Sequence, residues 1–241
     1  ETDISDRHQV KTLLGELQQQ ATPLTGIFHI AGVIRDKLIN NLQWQDFEAV
    51  MAPKVAGTWN LHQETQTIPL THFVCFSSIA AFIGNAGQAN YSAANAFVDQ
   101  LMQWRRANGL PGQSINWGPW AEIGMAAHMP QNGKSQLALM GVSALVTELA
   151  LQRLGMLLQQ NAPQRAVLAV DWSRFIEQWP LATDKGFLAE IAHLYAGTDS
   201  QTRLNLTLIN QLRSLTAEQR RNAVLTYIHS EICRVLNKTE V

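Results

Sequence analysis

The chain has 241 residues, 46% of them apolar and 15% charged, with 18 basic against 19 acidic side chains and a net charge of -1. That size and apolar content suffice to bury the core of one or two globular domains. The balanced charge excludes an overall field that would gather nucleic acid or an anionic membrane.

Val10, Leu13, Leu14 and Leu17 recur at helical spacing from Asp6 to Gln20, behind Ser5 as the expected N-cap, and predict an amphipathic helix. The run 26–33, Gly-Ile-Phe-His-Ile-Ala-Gly-Val, is short, apolar and bounded by Pro23 and Gly32, as a buried strand is. A helix is expected over 41–65, broken at Pro53, then a second buried strand from Leu70 to Ser77. Residues 90–108 carry helical spacing closed by Gly109, and 113–117 form a third strand before Gly118-Pro119. Beyond a loop at 124–133 come a helix at about 142–158 and a strand at 165–172. The stretch from Gly197 is polar and reads as a linker, and Thr216-Ala-Glu-Gln opens a final helix to about Leu236 with a capping-type start. Strands alternating with helices predict an α/β fold, a Rossmann-like doubly wound parallel sheet whose ligands bind beyond the carboxyl ends of the strands.

No apolar run approaches the ~18 residues of a bilayer span, and Glu1-Thr2-Asp3 lacks the basic and apolar regions of a signal peptide. Cys75 and Cys233 lie far apart in apolar segments, as reduced buried thiols do, so a cytoplasmic protein is expected. The first residue is not Met, and the sequence reads as an excised piece of something larger.

Two strand ends hold polar residues that a plain core would not need. Ser77-Ser78 closes the second strand, and Tyr91 opens a helix thirteen residues after Ser78. A Ser and a Tyr so placed can both donate hydrogen bonds to one carbonyl oxygen, the Tyr as proton donor. A phenol of pKa about 10 needs a nearby cation to work at neutral pH, and Lys54 is a candidate. Alternatively, Lys54 is a solvated helix lysine and Tyr91 a packing residue at a helix start.

The ordered motifs Gly32-Val-Ile-Arg-Asp, Ala52-Pro-Lys-Val-Ala-Gly-Thr-Trp-Asn-Leu-His, Phe76-Ser-Ser-Ile-Ala, Gly87-Gln-Ala-Asn-Tyr-Ser-Ala-Ala-Asn-Ala-Phe-Val-Asp and Ile115-Asn-Trp-Gly-Pro-Trp resemble the ketoreductase domains of modular polyketide synthases, within the short-chain dehydrogenase/reductase superfamily. The resemblance covers about 1–195. It implies Tyr91 as proton donor to a ketone, Ser78 as its hydrogen-bonding neighbour, and Lys54 with Asn95 completing a proton relay. Ordinary superfamily members place the Lys four residues after the Tyr. Asn95 stands there in this chain, with Lys54 upstream, as in the synthase subtype.

The same resemblance implies NADPH as cofactor, with Asp3 and Ile4 beside the adenine, Ala31 and Gly32 against the ribose, and Gly118, Pro119 and Trp120 near the nicotinamide. No G-x-G-x-x-G occurs, so the N-terminal βαβ portion that would hold the pyrophosphate is absent from this sequence, and a bare hydrophobic sheet edge is expected. Asp36 keeps the last position of the loop that marks B-type ketoreductases, which give the D-alcohol, and Ile83 replaces the Trp that marks the A-type. Met125 to Gly133 resembles a substrate lid. The expected division is 1–195 ketoreductase, 196–214 linker, and 215–241 the first helix of an acyl carrier protein. The implied substrate is a β-ketoacyl thioester on such a carrier, among neighbouring synthase domains, with no nucleic acid, membrane or metal. Rival expectations are an inactive structural fragment of a synthase module and a stand-alone short-chain dehydrogenase.

Overall fold

The computed structural model describes residues 2–125, 137–178, 187–195, 212 and 215–236. Helix α1 (Arg7–Gln18) is capped by Asp6, whose carboxylate accepts from the His8 and Gln9 N–H groups at 2.8 and 3.3 Å. This corrects the expected Ser5 cap: the Ser5 hydroxyl is engaged at 2.7 Å by Asp3 Oδ1. Strand β1 (Gly26–His29) stops four residues short of the expected end. From Ile30 the chain leaves its neighbour and is drawn across to a later helix, with Lys37 N–H donating to the Gly87 carbonyl at 2.9 Å and Asn90 Nδ2 to the Arg35 carbonyl at 3.0 Å.

Helix α2 (Trp44–Met51) does not break at Pro53, as the sequence suggested. It widens into a π turn, Ala52–Ala56, and continues as α3 (Gly57–Glu64). Proline supplies no N–H and its ring crowds the carbonyl four residues back, and the extra residue of a π turn relieves both without ending the helix.

Next come β2 (His72–Ser78), α4 (Ala80–Ile83), α5 (Ala89–Ala107) and β3 (Gln113–Trp117). The expected helix at 142 begins later. Residues Val142–Ser143 form β4, which pairs antiparallel with β6 (Ala169–Val170), and α6 spans Thr147–Leu158. The expected strand 165–172 is likewise divided. Strand β5 (Gln164–Val167) runs parallel to β3, while β6 turns away to β4.

The main sheet has the order β1-β2-β3-β5, all parallel. Alternation along β2 sends Phe73 and Cys75 to one face, with Val10, Leu14, Leu61, Val98 and Met102 from α1, α3 and α5. Val74 goes to the other face, where Ile115 and Trp117 of β3 meet Ala150 and Leu157 of α6. Helices therefore cover both faces, and polar side chains converge where β2 and β3 end. Cys75 is a buried free thiol, its pKa pushed up to about 12 by burial. The Cys233 side chain, the stretch 126–136 and nearly all of the expected linker lie outside the described residues.

Residues Glu1–Asp171 form one compact unit and Trp172–Val241 a second. Within the second lie α7 (Trp172–Gln178), α8 (Ala189–Tyr195) and α9 (Ala217–Leu236). The predicted capping start of α9 is present: the Thr216 hydroxyl accepts from Gln219 N–H, and Gln219 Oε1 accepts from Thr216 N–H at 3.0 Å. Among the described residues no helix is long and apolar enough to cross a membrane.

Candidate active site

A cavity of about 450 Å³ opens at the carboxyl ends of β2 and β3, with Lys54, Ser78 and Tyr91 among its lining residues. Each arrives from a different element. Ser78 ends β2, Tyr91 sits in the first turn of α5, and Lys54 is swung inward by the π turn. Lys54 is 2% exposed, and its Nζ donates to the Phe76 carbonyl at 2.5 Å. Burial lowers its pKa to about 8, against the attraction of Asp99. Cys75 adds no attraction near neutral pH, because its thiol keeps its proton there.

The Tyr91 phenol has a raised pKa, chiefly from burial, with the Asn95 and Ser78 side chains close enough to favour its ionised form and the Asp36 carboxylate opposing it. Asn95 lies one turn further along α5. Its Nδ2 donates to the Tyr91 carbonyl at 2.9 Å, and its Oδ1 has no partner among the described residues. The structure thus brings together Tyr91, Ser78, Lys54 and Asn95.

Behind them is a buried polar layer that the sequence did not point out. Asp99, at i+4 from Asn95 and i+8 from Tyr91, accepts from Asn116 Nδ2 at 2.7 Å, and burial raises its pKa. The same Asn116 amide reaches the Ser77 hydroxyl and the Ser78 carbonyl, each at 3.0 Å, while its Oδ1 accepts from Gln164 Nε2 at 2.9 Å. The helical spacing 91, 95, 99 and an Asn inside an apolar strand were the available signals.

Asp36 is tied to the site through Gln88, whose Nε2 donates to Asp36 Oδ2 at 2.8 Å, and burial raises its pKa. Ile83 and Met125 line the cavity. So do Pro119 and Trp120, and Trp120 meets Trp117 edge-on at 5.0 Å, with Phe76 5.4 Å from Trp117. Gly32 lies against Lys54, since a Cβ there would stand 2.9 Å from Cε. Ala31, Asp3 and Ile4 are not among the lining residues. Asp3 caps Ser5, and Ile4 packs against Gly57. Among the described residues no group of three His, Cys, Asp or Glu side chains could hold a metal.

The KR domain family model matches residues 1–122, and those residues include the whole constellation. The chain belongs to the ketoreductase domains of polyketide synthases. It is 31% identical over 98% of its length to the phenolphthiocerol synthesis polyketide synthase type I Pks15/1 of Mycobacterium marinum. It is 35% identical over 97% of its length to the spectinabilin polyketide synthase system protein NorB of Streptomyces orinoci. It spans only 12% and 11% of those two proteins. Among solved structures, an A1-type ketoreductase superposes with a TM-score of 0.72 at 34% identity, covering 80% of this chain and 41% of that one. The Rossmann-like parallel sheet of the superfamily is therefore the fold of this ketoreductase domain.

Ketoreductases of this superfamily use a nicotinamide cofactor, and the residues present fit its reactive end. Lys54, Ser78 and Tyr91 line one cavity, walled by Pro119 and Trp120, and the unpartnered Asn95 Oδ1 lies one helical turn beyond Tyr91. The sequence holds no G-x-G-x-x-G stretch.

Proposed function

We propose that this ketoreductase domain serves the NADPH-dependent reduction of a β-ketoacyl thioester, held on an acyl carrier protein, to the β-hydroxyacyl thioester. The observation that carries the proposal is the convergence of Tyr91, Ser78 and Lys54 on one cavity, with Asn95 behind Tyr91. When bound, the reduced nicotinamide supplies a hydride to the carbonyl carbon. Ser78 and Tyr91 hold the ketone oxygen by hydrogen bonds, and the Tyr91 phenol gives that oxygen its proton as negative charge develops there. The Lys54 ammonium, mostly charged below pH about 8, stabilises the phenolate left behind. Asn95 Oδ1 accepts a hydrogen bond in the proton path that returns a proton to Tyr91. Asp3, Ile4, Ala31 and Gly32 are assigned to the adenosine side of NADPH by the family likeness.

The domain division 1–195, 196–214 and 215–241 belongs to the same proposal, with the last segment the first helix of the carrier protein. Neighbouring synthase domains are then its partners, and the reduced Cys75 thiol fits a cytoplasmic setting. B-type stereochemistry is part of it too: Ile83 lines the cavity where the A-type has Trp, and Gln88 holds Asp36 beside Tyr91.

The test is NADPH consumption with a β-ketoacyl thioester, by this chain and by one extended upstream in the synthase, with Tyr91→Phe in each. Turnover by the extended chain that falls ~10²- to 10⁴-fold in Tyr91→Phe supports the proposal. An extended chain that neither binds NADPH nor turns over makes this a structural module. Chiral analysis of the product then checks the D-alcohol, and loss of that preference in Asp36→Ala assigns it to the loop.

A further inference from the structure

Strand β1 ends in a histidine that the reaction does not use. His29 is 4% exposed, and its Nε2 lies 3.1 Å from the Pro53 carbonyl. A carbonyl only accepts, so Nε2 carries the hydrogen and the ring is the neutral Nε2–H tautomer. Burial first, and the Lys54 charge second, lower its pKa to about 4, which keeps it neutral in the range where the site works.

The carbonyl it meets lies inside the π turn. In a regular α-helix the Gly57 N–H would bond Pro53, but here it is spent on Ala52. The next residue is Lys54. Its own carbonyl accepts from the Thr58 hydroxyl at 2.5 Å, its stem passes over Gly32, and its ammonium reaches the Phe76 carbonyl. The widened turn is therefore pinned to the sheet at one backbone atom, immediately before the residue it redirects.

We propose that His29 is a positioning residue: its hydrogen bond to Pro53 holds the π turn against β1 and thereby aims the Lys54 ammonium at the Tyr91 end of the cavity. The proposal rests on Lys54 being part of the reductase site. Titratable groups around Lys54 are Asp99, Cys75 and His29, with Tyr91 lining the same cavity, so a displaced ammonium changes its electrostatic company as well as its position.

Nitrogen-15 NMR of the histidine rings and lysine ammonium groups of the intact chain tests it without any reaction. The wild type is expected to show His29 as the Nε2–H tautomer and Lys54 titrating near 8. His29→Leu removes the donor, and Lys54 then titrates upward, toward an ordinary lysine. His29→Gln places an amide nitrogen near the position of Nε2 and restores the low value. In the extended chain, kcat falls ~10²-fold in His29→Leu with little change in KM, and His29→Gln recovers it, since a misplacement of about 1 Å can cost that much. An Nδ1–H tautomer in the wild type overturns the proposal and needs no variant to fold. So does an unchanged Lys54 titration in a folded His29→Leu. If the tautomer and the Lys54 shift appear but no chain reduces a β-ketoacyl thioester, the reductase proposal fails and the positioning role stands.

Discussion

Replacing Lys54 by Met should make the protein more stable at pH 7 and inactive. The side chain is 2% exposed, and burial lowers its pKa from 10.5 to about 8. Each unit is worth about 1.36 kcal/mol, so keeping the ammonium charged in the folded state at pH 7 costs about 3 kcal/mol. The sign follows from the direction. Between pH 8 and 10.5 the unfolded chain binds the proton more tightly than the folded one, so the cost is full below about 8 and fades as pH rises toward 10.5. Methionine fills the same channel without charge, but it leaves the Phe76 carbonyl without its donor, a loss of about 1 kcal/mol. A net gain of about 2 kcal/mol remains, or roughly 4 to 8 °C in Tm for a chain of this size. Denaturant unfolding of the two proteins at pH 7 and pH 9.5 measures it, with the gain shrinking below 1 kcal/mol at the higher pH. A Met variant that is less stable at pH 7, or whose gain does not change with pH, would refute the assignment of Lys54 as a buried, strained cation.

Gly32→Ala puts a methyl 2.9 Å from Lys54 Cε. Because the far end of a lysine can yield, stability should change by less than about 1 kcal/mol while kcat drops, as unfolding curves and NADPH consumption would show together. Phe73→Ala opens the core between α1, α3 and α5 and removes the ring beneath the Arg105 guanidinium, 3.8 Å above its centre. It should cost about 3 to 5 kcal/mol in equilibrium unfolding. Asn116→Leu removes the amide shared by Asp99, Ser77, Ser78 and Gln164, and should destabilise by about 2 to 4 kcal/mol, most above the pH at which the buried Asp99 ionises.

The parallel alternation and the four strands of the main sheet were legible because their apolar runs are short and bounded by turn residues. The Tyr91, Ser78, Lys54 and Asn95 set was legible from motif order, and the fold brings the first three to one cavity with Asn95 bonded to the Tyr91 carbonyl. What the sequence hid has a common cause, since each feature depends on partners distant in the chain. Pro53 signals a break, yet the helix runs on through a π turn in which the Gly57 N–H bonds Ala52 and His29 Nε2 meets the Pro53 carbonyl. Ile30 to Val33 reads as strand, but the bonds from Asn90 and Lys37 draw the following loop away. Val142 opens what looks like a helix, and only its pairing with Val170 makes it a strand. Asp99 and Asn116 look like ordinary helix and strand residues until the sheet places them together.

The edge-on contact of Trp117 and Trp120 gives this site an optical signature of its own. Two indoles 5.0 Å apart on the cavity wall, both packed near Phe76, form a coupled and chirally fixed pair, whereas Trp44, Trp59 and Trp104 are 64%, 45% and 50% exposed. Near-ultraviolet circular dichroism should therefore carry a contribution from the cavity, beside that of the edge-on Trp172–Phe175 pair. Iodide, which quenches exposed indoles, can silence Trp44, Trp59 and Trp104 in emission, and replacing Trp172 and Trp179 by Phe leaves the cavity pair to follow occupancy of the site with no label attached.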